Sequence, residues 1–125
     1  MDASKYIMIV EDEVMIALHI EDTLGQLGHR VVTATTKAEA EKLLDTCEIE
    51  LAIVDYKVTD GNTETLMERL QKAGIPFVVC SGITEEEESR SAPGAAQFLS
   101  KPFTSDSLIE AVTALTSRRS ANELH

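Results

Sequence analysis

Short apolar runs alternate with helical patterns along the whole chain, and that alternation leaves few folds open. Tyr6 to Val10, Leu51 to Val54 and Phe77 to Cys80 are apolar throughout, as strands covered on both faces must be. Arg30 to Ala34 is mixed and reads as an edge strand, and Gln97 to Leu99 supplies a fifth. Between them lie helical stripes. Val14 to Leu27 carries Ile16, Ile20, Leu24 and Leu27, and Gly28 ends it. Lys37 to Thr46 turns Ala40, Leu43, Leu44 and Cys47 inward, and Thr63 to Ala73 does the same with Leu66, Met67 and Leu70. Ser105 to Ser117 repeats the pattern with Leu108, Val112 and Leu115. Strand, helix, strand in strict alternation predicts right-handed crossovers and an α/β, doubly wound, five-stranded parallel sheet. The expected strand order is 2-1-3-4-5, the flavodoxin-like arrangement, with its switch point between the first and third strands.

One segment departs from the pattern. A fourth helix belongs between Cys80 and Gln97, yet Thr84 to Ser91 has no apolar residue to bury and holds four consecutive glutamates. Pro93-Gly94 stops any helix there. The expectation is a short or disordered helix, and the least stable part of the fold.

A chain of 125 residues fits one domain, 1–117, with a short tail at 118–125. The formal net charge of −11 excludes a basic face for phosphate backbones, so nucleic acid is not an expected partner. No run approaches the about 18 apolar residues of a membrane span, and no signal peptide opens the chain. Cys47 and Cys80 are too few for a disulfide framework. These features predict a cytoplasmic protein. His19, His29 and His125 lack metal-ligand spacing and read as structural or solvated.

The chemistry-bearing residues stand where the strands run out. Glu11 and Asp12 follow the first strand, Asp55 ends the third, Ser81 follows Cys80, and Lys101-Pro102 follows the last. Strand C-termini of an open parallel sheet share one edge, where ligands bind. Three carboxylates, a hydroxyl and an ammonium should therefore meet in one shallow pocket. Three close acids repel unless a cation joins them. Mg²⁺ with Lys101 would resolve the conflict, and the set suits a phosphoryl group carried on a carboxylate. Asp12 also suits the start of the first helix as a cap.

With these motifs in this order, the chain resembles the receiver domain of bacterial two-component response regulators, from about Lys5 to Ser117. The resemblance implies that Asp55 is the phosphoacceptor, and that Asp12 and Asp55 bind Mg²⁺ directly. It implies that Glu11 acts on the ion through water and that the Lys57 carbonyl adds a ligand. Lys101 would reach the phosphoryl oxygens across a cis bond to Pro102, with Phe103 as a core anchor. Ser81 would swing toward the phosphoryl group, beside Gly82, which leaves room for it. Phe98 would be the aromatic switch, without a hydroxyl and so acting by packing. Lys57 and Ile83 match positions that tune hydrolysis. The phosphoryl donor would be a histidine kinase or a histidine phosphotransfer protein, and the output an unknown downstream protein. No turnover of an external substrate is implied, so the chain is not expected to be an enzyme.

Ile75 to Gly82 is also similar to a subgroup of short, stand-alone receivers with a Pro-Phe-x-Phe-Ala-Thr-Gly-Tyr motif. Val79, Cys80, Ser81 and Ile83 depart from it. The expectation is a stand-alone receiver. One rival is a phosphorylation-independent binding module on the same fold. Another is the receiver piece of a longer regulator. A phosphatase with an aspartate nucleophile would want an acid two residues after Asp55, where Lys57 stands.

Overall fold

Strands form here where the sequence is apolar on both faces, and helices where it is apolar on one. The computed structural model describes residues 5–82 and 94–123, with side chains through Thr116. The order is β1 (Tyr6–Val10), α1 (Val14–Gln26), β2 (Val31–Ala34), α2 (Lys37–Thr46), β3 (Ile49–Asp55), β4 (Lys57–Val58), β5 (Gly61–Asn62), α3 (Glu64–Lys72), β6 (Phe77–Ser81), β7 (Gln97–Ser100) and α4 (Ser105–Glu123). The main sheet runs β2-β1-β3-β6-β7, with every neighbouring pair parallel. That is the expected 2-1-3-4-5 order once the small β4–β5 hairpin is set apart.

The period of two along each central strand divides the core. Met8, Val10, Ala52, Val54, Phe77 and Val79 face one way, against Ala40 of α2 and Leu66, Met67 and Leu70 of α3. Ile7, Ile9, Leu51, Ile53, Val78 and Cys80 face the other, against Ile20 and Leu24 of α1 and Leu108, Val112 and Leu115 of α4. Each fully buried Leu or Ile among them contributes roughly 1.5–3 kcal/mol of transfer free energy. Both faces are covered, so a charge on a central strand would have no solvated side to turn to.

Three details differ from the sequence reading. Leu27 lies at the cap of α1 rather than within it, and is exposed. Ala17 and Thr23 are buried beside Ile20 and Leu24 instead. The last helix runs past Ser117 to Glu123, over a stretch without glycine or proline. The antiparallel β4–β5 hairpin, with Lys57 opposite Asn62 and Val58 opposite Gly61, adds to the elements that the sequence pattern predicts. Gly61 has φ of +119°, a conformation that favours glycine. The expected short or disordered fourth helix, in Thr84 to Gly94, falls outside the described residues up to residue 93, as does Ile83.

Candidate functional site

Register brings the site together. Val10 pairs with Val54, Asp55 with Cys80 and Ser81 with Ser100, so the strands end at a common level. Backbone hydrogen bonds continue the sheet one residue further. The Glu11 N–H donates to Ala34 O at 3.0 Å, Tyr56 N–H to Cys80 O at 3.0 Å, and Lys101 N–H to Ser81 O at 2.9 Å. Glu11, Asp55, Ser81 and Lys101 thus stand along one edge because the ladder fixes their backbones.

The side chains converge there. Lys101 Nζ donates to Asp55 Oδ2 at 2.9 Å and lies 3.1 Å from each Glu11 carboxylate oxygen. The Glu13 N–H donates to Glu11 Oε1 at 3.2 Å, and the Lys57 N–H approaches Asp55 Oδ1 at 3.4 Å. One oxygen each from Glu11, Asp12 and Asp55 lies within 4.8 Å of the others. Glu11, Asp55 and Ser81 are buried, while Asp12 and Lys101 are half-buried. The Lys101–Pro102 bond is cis.

One ammonium cannot neutralise two buried carboxylates. The excess shows at Glu11, whose carboxyl is pushed up to about 7, first by burial and then by the neighbouring Asp55, against the opposing pull of Lys101. Burial pulls the Lys101 ammonium down, but Asp55 and Glu11 outweigh it and hold it above its usual value. A site of three oxygen-bearing acids with unbalanced negative charge fits a hard divalent cation such as Mg²⁺.

The family model for the response regulator receiver domain matches residues 7–113. The chain belongs to the response regulator receiver family. The phyllosphere-induced regulator PhyR of Methylorubrum extorquens is 28% identical over 106 residues, covering 82% of this chain and 40% of that protein. The response regulator SaeR of Staphylococcus aureus is 27% identical over 117 residues, covering 90% of this chain and 51% of that protein. The chain therefore spans about half, or less, of the length of these curated relatives. The CheY-like receiver domain protein of Methanospirillum hungatei superposes with a TM-score of 0.85 at 25% identity, over 95% of this chain and 99% of that one.

The receiver's strand-end residues named from the sequence are together at the edge, except Ile83, which is not among the described residues. Lys57 is exposed on β4. Phe98 is half-buried on β7, opposite Val79, and packs on the layer that holds Val54 and Phe77. Among the described residues, a Cβ at Gly82 would meet nothing within 4 Å.

Several supporting residues were not singled out from the sequence. In the sequence Thr63 is only the start of the third helix. It is fully buried, and its hydroxyl donates to the carbonyls of Asp55 at 2.9 Å and Tyr56 at 3.0 Å, bracing the backbone of the central acid. Thr59 Oγ1 donates to Asp12 Oδ2 at 3.0 Å. In the sequence His19 reads as structural or solvated. Its ring stacks on Phe103 at 5.9 Å, and its Nε2 is hydrogen-bonded to Ser105 Oγ at 2.8 Å. It ties α1 to the loop that carries Lys101. Among the described residues, no helix is long and apolar enough to cross a membrane.

Proposed function

We propose that this receiver takes a phosphoryl group from a phosphohistidine donor onto Asp55, using Mg²⁺, and that the modification switches contacts with another protein. The observation that carries the reading is the environment of Asp55. It is a buried carboxylate at a strand end, 2.9 Å from Lys101 Nζ, with the oxygens of two further acids within 4.8 Å. A carboxylate oxygen of Asp55 attacks phosphorus and a new O–P bond forms. The donor's N–P bond breaks, and the imidazole keeps that electron pair and takes up a proton. Lys101 neutralises charge on the phosphoryl oxygens, and Ser81 turns its hydroxyl toward one of them. Mg²⁺ bound at Glu11, Asp12 and Asp55 would offset the same charge. Hydrolysis of the O–P bond returns the carboxylate, and Lys57 and Ile83 hold the sequence positions that tune this step in the receiver family.

The donor is a histidine kinase or a histidine phosphotransfer protein. Val14, Met15 and Leu18 expose apolar side chains on the first turns of α1, just after Asp12. An apolar rim of this kind suits a protein donor. The chain acts as a switch and not as an enzyme on outside substrates, since its chemistry is its own phosphorylation and dephosphorylation. Phosphorylation adds about −1.5 to −2 charge to a site already rich in acids. Lys101 and Ser81 must move to accommodate it, and Phe98 can pass the shift on through packing.

The test is labelling with acetyl phosphate and Mg²⁺, then with a phosphohistidine-bearing protein, read by intact mass. The wild type should gain one phosphoryl mass and Asp55→Asn none. Equal labelling of the mutant overturns the assignment. No labelling of the wild type by either donor, with Mg²⁺ failing to bind, would favour a binding module on the same fold.

A further inference from the structure

Asp12 is the most exposed of the three acids, half-buried where Glu11 and Asp55 are buried. A carboxylate in that position rotates freely unless something holds it. The partner that holds it comes from 47 residues away. Thr59 Oγ1 donates to Asp12 Oδ2 at 3.0 Å from the turn between β4 and β5.

That turn is braced at both ends. On the far side, Asp60 accepts from the N–H groups of Lys37 at 2.8 Å and Ala38 at 3.3 Å, at the start of α2. Acceptance of otherwise unpaired N–H groups at a helix start is a stable anchor. On the near side, the Thr63 N–H donates to Tyr56 O at 2.9 Å, and the Thr63 hydroxyl grips the Asp55 and Tyr56 carbonyls. Val58, next to Thr59, is buried in the core beneath. The hydroxyl of Thr59 is therefore delivered from a fixed platform. The same segment leads directly from Asp55, so one braced piece of chain sets both acids relative to each other.

We infer that Thr59 is a positioning residue for the acidic site: its hydroxyl holds the Asp12 carboxylate toward Asp55 and thereby sets the affinity for a divalent cation. The inference rests on the divalent-cation reading of the site proposed above. The hydroxyl fixes the orientation of an otherwise mobile carboxylate, so less freedom is lost when a cation binds. Partners of metal-binding groups commonly matter this way.

The test is Mg²⁺ titration of the full chain, followed by backbone amide NMR shifts of Asp12, Glu13 and Lys57. Thr59→Val removes the hydroxyl and keeps the branched shape. Thr59→Ser keeps the hydroxyl. Thr59→Val should weaken Mg²⁺ by about 10-fold, the lower end of the range for such partners. Thr59→Ser should stay within about twofold of wild type. In an Asp12→Ala background, Thr59→Val should have no further effect, because the two residues act as a unit. Equal or tighter Mg²⁺ binding by Thr59→Val overturns the inference, as does an equal loss in the Asp12→Ala background. A wild type that does not bind Mg²⁺ overturns the cation reading together with this inference. A wild type that binds Mg²⁺ with the valine variant unchanged overturns this inference alone.

Discussion

Lys101 with Glu11 and Asp55, and Arg69 with Glu41 and Asp45, are both arrangements of one cation between two carboxylates. The first joins strand ends and the second joins α3 to α2. Distances do not separate them: Lys101 reaches its partners at 2.9 and 3.1 Å, and Arg69 reaches its own at 2.5 and 3.3 Å. Burial does. The side chains of Lys101, Glu11 and Asp55 are 17%, 1% and 9% exposed, against 38%, 45% and 65% for Arg69, Glu41 and Asp45. In the exposed triad, water screens the excess negative charge and the pairing links two helices with little energy at stake. In the buried triad water screens it far less, and Glu11 is driven toward its neutral form, first by burial. Unbalanced negative charge held out of water favours the arrival of a cation.

The largest expected effect comes from removing the buried cation. Lys101→Met leaves two close acids without their ammonium. In metal-free protein at pH 8 the variant should lose about 3 kcal/mol of stability, as breaking a buried pair from one side generally does. Urea unfolding with a chelator measures it. Added Mg²⁺ should restore most of the loss by replacing the missing positive charge. A variant as stable as wild type would mean that Glu11 and Asp55 are effectively hydrated, and the contrast with the Arg69 triad would disappear.

A smaller effect should come from pH, through Glu11. Its folded-state value of about 7 is above the ordinary 4.5. Between those values the folded protein holds more protons than the unfolded chain, so stability falls as pH rises. The stabilising neutral form is fully present below about 4.5 and lost above about 7. Over that window the metal-free wild type should lose stability, by at most a few kcal/mol, that Glu11→Gln does not lose. Other carboxylates titrate in both proteins, so the difference between the two profiles is the diagnostic quantity. Parallel profiles for wild type and Glu11→Gln would show that burial does not perturb Glu11.

The buried triad was legible in the sequence and its supports were not. Glu11, Asp55 and Lys101 announce themselves because each interrupts or ends an apolar strand, and parallel topology then forces those ends together. The same periodicity found the helix faces, down to Leu108, Val112 and Leu115. It also stopped too early, at Ser117, because the apolar stripe ends at Leu115 while residues compatible with helix continue to Glu123. Thr59 and Thr63 look like any threonines in a turn and at a helix start. Their roles depend on contacts across 47 residues in one case and on a carbonyl eight residues back in the other. Neither spacing has a period. The β4–β5 hairpin is two residues per strand, too short for an alternating pattern, although Asp60-Gly61 is a turn signal in its own right. Arg69 and its partners were equally silent, being charged residues on solvated helix faces.

The smallest expected effect belongs to that outer triad, and salt should separate it from the inner one. Arg69→Met removes a guanidinium that reaches Glu41 and Asp45 on α2, but keeps an apolar stem of similar length. The destabilisation in urea should be a small fraction of that from Lys101→Met. Raising salt from about 0.1 to 1 M shortens the screening length from about 10 to about 3 Å. The difference between wild type and Arg69→Met should therefore shrink further, since its charges are bathed in that salt. The difference between wild type and Lys101→Met should persist, because counterions do not enter a buried cluster. The measurement is a pair of metal-free urea transitions for each variant at the two salt concentrations. If the Arg69 difference held constant while the Lys101 difference collapsed, the outer pairing would be the shielded one. Exposure would then be the wrong criterion for telling these two triads apart.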